Sequence, residues 1–88
     1  MNVSFTENAW EDYLYWQKME RKMERKIVRR IHELIKDIKR NPFEGLGKPE
    51  PLKYDLAGKW SRRITEEHRL VYQVQGDGLI VYACKYHY

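Results

Sequence analysis

The chain has 88 residues, 42% of them hydrophobic and 34% charged, with a formal net charge of +4. That length fits one domain spanning residues 1–88 with one core, and the balance excludes a disordered chain. It also excludes a helical membrane protein, because no apolar run approaches the roughly 18 residues a span requires. The single cysteine, Cys84, excludes an internal disulfide and fits a reducing compartment. "MNVSFTENAW" lacks the basic-then-apolar order of a signal peptide, so a cytoplasmic location is expected.

In chain order, "MNVSF" alternates apolar and polar residues and predicts a short strand. Thr6 or Asn8 can cap a first helix, in which Glu7, Glu11 and Asp12 suit the positive end of the dipole. Trp10, Tyr13 and Leu14 carry its apolar spacing. A second, cleaner amphipathic stretch runs through Met23, Ile27, Ile31, Leu34, Ile35 and Ile38, and stops before "NPFEG". Between them "KMERKMER" repeats four residues twice, with no glycine, proline, asparagine or aspartate to mark a turn. Two helices joined somewhere in residues 17–25 are nevertheless expected, because packing overrides weak propensity. "EGLGKPEPLK" reads as a loop in which Pro49 and Pro51 hold Glu50 extended. "KWSRRIT", "RLVYQVQ" and "LIVYACKYHY" read as strands, the last two joined by the hairpin signal "QGDG". The predicted fold class is α+β: an N-terminal strand, then two helices packed on a twisted antiparallel sheet.

The positive charge points to a polyanionic partner. Three Trp, seven Tyr and two Phe among so many Lys and Arg suit single-stranded RNA, where rings stack on bases and cations hold phosphates. Glu50, the arginines Arg62, Arg63 and Arg69, and His87 are the residues that could do chemistry. Each fits a plainer role too: a solvated loop carboxylate, a charged sheet face paired with Glu66 and Glu67, a surface histidine. Strand alternation puts Arg62 and Arg63 on opposite faces, so one site cannot take both. His32 and His68 read as structural or solvated, and Cys84 as a small hydrophobe. Scattered histidines and one cysteine have no zinc-ligand spacing, so no metal or other cofactor is expected. Together, Glu50, Arg69 with Arg63, and His87 are what cleavage of RNA through its own 2′-hydroxyl requires. One group takes a proton, a cation holds the phosphorane, and an acid protonates the leaving oxygen. Tyr88 could stack on a base or position the phosphate.

"NPFEGLGKPEPLKYDLAGKWSRRITEEHRLVYQV", "CKYHY" and the earlier "FTENAWEDYLYWQ" resemble, as a set, the YoeB toxins of the RelE/ParE toxin–antitoxin superfamily. The resemblance implies a RelE-like fold and ribosome-dependent cleavage of mRNA in the decoding site. It implies that Glu50 is the general base, Arg69 the transition-state arginine, His87 the general acid and Tyr88 the terminal tyrosine of the site. Lys48, Lys53 and Arg63 would be supporting basic, substrate-binding residues. A YefM-type antitoxin is the implied partner, along with homodimerisation. The family's chains are expected to lack one of the two "KMER" units. Two other readings compete: a gyrase-poisoning toxin of the ParE type on the same fold, and an RNA-binding module without catalysis.

Overall fold

A computed structural model describes residues 1–19 and 21–86. The elements are β1 (Asn2–Phe5), α1 (Glu7–Lys18), α2 (Lys22–Arg40), β2 (Glu50–Pro51), a short 3-10 turn (Tyr54–Leu56), β3 (Trp60–Arg63), β4 (Arg69–Gln75) and β5 (Gly78–Ala83). Five strands form one sheet in the order β1-β5-β4-β3-β2. The three pairs from β2 to β5 are antiparallel, whereas β1 joins β5 in parallel, from Asn2 opposite Gly78 to Phe5 opposite Val81. The sheet is therefore mixed, where the strand-rich second half suggested an antiparallel one. A parallel partner needs a long connection, and here it runs through both helices and then β2, β3 and β4 before β5 returns beside β1.

Both helices press on one sheet face. Ala9 and Trp16 of α1 and Ile27, Ile31, Leu34 and Ile38 of α2 form one core with Leu70, Tyr72, Leu79, Val81 and Cys84. The α2 stripe is the one the sequence spacing marks. The α1 stripe differs: Ala9 and Trp16 are buried, while Trp10 and Leu14 are exposed. Ala9 is small enough for its carbonyl to lie 3.7 Å from the Cys84 Sγ, so close approach, not ring size, chooses the buried face. Thr6 is the cap, its hydroxyl accepting the Ala9 N–H at 3.2 Å.

The helices break where no breaker residue stands. Met19 and Arg21 are both extended, and Arg21 caps α2 without any side-chain bond. Trp16 fixes the last turn of α1 by donating its indole N–H to the Cys84 carbonyl at 2.9 Å. Ile27 must reach the same core from α2. Burying such side chains stabilises by about 1.5–3 kcal/mol each, more than the ~1 kcal/mol of each helix hydrogen bond lost at the break.

Candidate active site

The site is built outward from a buried arginine. Arg62, on β3, is fully buried. Its Nη1 donates to Asp37 Oδ2 at 2.7 Å and to the Leu46 carbonyl at 3.1 Å. Its Nη2 donates to the carbonyls of Asn41 at 2.6 Å and Glu44 at 2.9 Å, and its Nε to the Tyr72 hydroxyl at 3.2 Å. That hydroxyl in turn donates to the Pro42 carbonyl at 2.6 Å. The guanidinium thus holds the loop after α2 against β3. The Leu46 N–H, and next the Arg62 guanidinium, keep the Asp37 carboxyl below its ordinary value of 3.8. Burial pushes the Tyr72 phenol up, so it stays a neutral donor.

Gly47 carries the loop onto the sheet. Its φ is +79°, and a Cβ there would come within 3.0 Å of the Arg63 carbonyl and of a Leu34 methyl. The close approach lets the Arg63 N–H donate to the Gly47 carbonyl at 2.7 Å. Lys48 follows, also left-handed with φ 50°, and then Pro49 and Glu50. Glu50 pairs with Ser61, and Arg63 pairs with Arg69. Paired residues share a face, and Ser61 and Arg63 are two apart on β3. Glu50, Arg63 and Arg69 therefore lie on the face turned away from the helices, while Arg62 faces them. Arg63 sits diagonally from Glu50, a separation of roughly 7–8 Å. Lys48 and Lys53 are exposed on either side of Glu50. Residues 50–56 line an open cleft of about 650 Å³.

The half-buried Arg69 is anchored through one nitrogen. Its Nη1 donates to the carbonyls of Thr65 at 2.8 Å, Glu66 at 3.1 Å and His68 at 3.3 Å. Among the described residues, nothing engages its Nε or Nη2, the edge that can clamp an anion.

The chain beyond β5 is tied down at both residues that bracket Lys85. The Cys84 N–H donates to Asp12 Oδ2 at 3.0 Å, and its carbonyl accepts from Trp16. The Tyr86 N–H donates to His68 Nδ1 at 2.7 Å, and its carbonyl accepts the Arg69 N–H at 3.1 Å. Lys85 lies over the Tyr15 ring at 3.8 Å. Residues 84–86 are thereby held beside Arg69. His87 and Tyr88, expected as acid and terminal tyrosine, lie outside the described residues. Lys48, Tyr54 and Tyr86 are the non-glycine residues with left-handed backbone among those described. Such conformations cost of order 1–3 kcal/mol and gather at functional sites; all three lie on the loop, the cleft or the tethered segment.

A sequence profile of the YoeB-like toxins of bacterial type II toxin–antitoxin systems matches residues 5–88. The chain belongs to that family. Toxin YoeB of Escherichia coli K12 is 59% identical over the full length of both chains. The solved YoeB/ParE toxin from Agrobacterium tumefaciens is 49% identical and superposes with a TM-score of 0.91, each chain fully covered. YoeB of Staphylococcus aureus, solved as a dimer and in a YoeB–YefM complex, is 48% identical, with TM-scores of 0.89 and 0.88. The match covers all of this chain and 98% of that one.

Within this YoeB-family chain, three residues make long-range contacts that no local pattern in the sequence records. For Arg62 the sequence leaves open a chemical role or a place in a charged face with Glu66 and Glu67. Its ion pair is instead with Asp37 on α2, a contact across 25 positions that no local pattern records. His68 is buried, edge-on to Trp16 at 4.7 Å, and acts as acceptor for the Tyr86 amide. Asp12, read only as a helix-dipole residue, receives the Cys84 amide. Cys84 itself is buried as expected, its thiol pushed up to about 12 by burial and then by Asp12, which disfavours the thiolate at neutral pH.

Proposed function

We propose that this toxin is a ribosome-dependent endoribonuclease that cuts mRNA in the decoding site and so stops translation. The observation that carries the reading is the shared sheet face of Glu50, Arg63 and Arg69, with the tethered residues 84–86 leading to His87. Glu50 takes the proton of a 2′-hydroxyl as its oxygen attacks the adjacent phosphorus. Arg69 and Arg63 hold the charge of the phosphorane. The P–O5′ bond breaks and His87 gives the departing 5′-oxygen a proton. The products are a 2′,3′-cyclic phosphate and a 5′-hydroxyl, and no metal is required. Lys48 and Lys53 hold flanking phosphates, and Tyr88 orders the substrate. The YoeB–YefM complex and YoeB dimer of S. aureus support a YefM-type antitoxin and a second copy of the chain as partners here.

The test is end-mapping of labelled mRNA on programmed ribosomes. The wild type should cut, leaving the two ends named above. Glu50→Gln should be slower by about 10²–10⁴-fold, the usual contribution of a positioned base. A folded Glu50→Gln protein that cuts at the wild-type rate overturns the assignment. Intact mRNA retained on the toxin would indicate a binding module. In cells, DNA damage signalling ahead of translation arrest would indicate a gyrase poison.

A further inference from the structure

Tyr54 stands at the tip of the β2–β3 hairpin with 91% of its surface exposed, more than any other large hydrophobic side chain described. Among the described residues its ring makes no aromatic, cation–π or hydrogen-bonding contact. It is nonetheless not on a loose loop. The Leu52 N–H donates to the Lys59 carbonyl at 2.9 Å and closes the hairpin. The Leu56 and Ala57 amides donate to the carbonyls of Lys53 and Tyr54 at 3.1 and 3.0 Å. The backbone at Tyr54 is left-handed, with φ 58°, a conformation that glycine would adopt without strain. The fold thus sustains an unfavourable backbone at a ring that is almost wholly exposed.

That ring borders the same 650 Å³ cleft as Glu50, whose wall also includes Pro51, Leu52 and Leu56. Exposed Lys53 precedes it in the chain. Glu50 and Tyr54 are four residues apart, so their Cα atoms lie no more than about 14 Å from each other. A rigid ring, an apolar wall and a neighbouring ammonium are the parts of a site for one unpaired base and its phosphate. We infer that Tyr54 is a stacking platform for the nucleobase next to the scissile phosphate, and that it tunes which mRNA positions are cut. This rests on the nuclease reading above.

The experiment compares wild type with Tyr54→Ala, Tyr54→Phe and Tyr54→Gly. Cleavage is measured in single turnover on programmed ribosomes, with all four nucleotides placed in turn on each side of the cut, alongside thermal unfolding. Tyr54→Ala should lower kcat/KM by about tenfold to a hundredfold, as loss of one base–aromatic stack does, and flatten the preference among flanking nucleotides. Tyr54→Phe should restore both. Tyr54→Gly should unfold at a temperature no lower than the wild type yet cut as poorly as Tyr54→Ala, a split that a purely structural role cannot produce. Wild-type kcat/KM and an unchanged cutting pattern in Tyr54→Ala overturn the inference, as does an equal defect in Tyr54→Phe. A wild-type protein that leaves ribosome-bound mRNA intact instead removes the nuclease reading, and this inference with it.

Discussion

Arg62 shows how a charged residue can be structural while its neighbour lies on the opposite, exposed face of the sheet. Five hydrogen bonds satisfy its buried guanidinium, four of them to the helix and loop that lead to Glu50. Removing it takes one donor from Asp37, which keeps the Leu46 N–H and Arg40, and strips three carbonyls of their guanidinium donor, so Arg62→Met should cost about 3–5 kcal/mol, the usual effect of breaking a buried pair from one side. Arg62→Lys should recover little of this, because one ammonium cannot reach the sites that a planar fork spans. Urea denaturation of the three proteins checks the order, and a stability loss below 1 kcal/mol in Arg62→Met would contradict it. Asp37 adds a pH dependence of definite sign. Its folded-state value is depressed below 3.8, so its stabilisation is present above that value and is lost as pH falls through the lower folded one. Asp37→Asn should therefore be less stable than wild type at pH 6, with the gap narrowing below about pH 4, as urea midpoints across that range will report.

Among the elements, the segment after β5 departs most from the expectation of a strand running to the end. The ladder stops at Ala83, and four backbone bonds to Asp12, Trp16, His68 and Arg69 replace it through Tyr86. Three of these partners are side chains, Asp12 and Trp16 on α1 and His68 in the β3–β4 turn, and the fourth is the Arg69 amide at the start of β4. His68 is the positioning residue most open to test. His68→Leu removes the acceptor of the Tyr86 N–H, a part-buried bond, at a cost of about 1 kcal/mol. The segment 84–86 then loses one of its ties, and, on the proposed nuclease reading, kcat for mRNA cleavage should fall about tenfold or more with little change in KM. His68→Asn keeps an acceptor oxygen near the place of Nδ1 and should recover most of the kcat. If His68→Leu is folded and retains the wild-type kcat, the tether does not serve the site.

For the whole molecule, the helices cover one sheet face and leave the other with Glu50 amid Lys48, Lys53, Arg63 and Arg69. With a formal net charge of +4, this toxin should be captured by an acidic, partly apolar antitoxin segment that orders as it binds over the basic face. Electrostatic steering then sets the encounter, and the association rate should fall about tenfold or more from low to high salt. Stopped-flow mixing with the cognate antitoxin across a salt series measures this. A rate indifferent to salt would place the antitoxin on some other surface.

The sequence by itself determined the class of the fold and the chemistry that the site could carry. The α2 stripe, the Thr6 cap, the "QGDG" hairpin and the Pro-flanked Glu50 are local signals, because each depends on residues a few positions apart. Alternation alone separated Arg62 from Arg63. What only the tertiary structure decided is plainest in "KMERKMER". Lys18 closes α1, Met19 and Arg21 are extended, and the second copy, Lys22 to Arg25, opens α2. The same four residues do both, because the break is set by where Trp16 and Ile27 must enter one core, not by their own propensity. Parallel pairing of β1, the Arg62–Asp37 clamp and the His68 tether belong to the same category. Each joins residues distant in the chain, and the free energy that selects it comes from burial and hydrogen bonds that exist only once the sheet and helices have met.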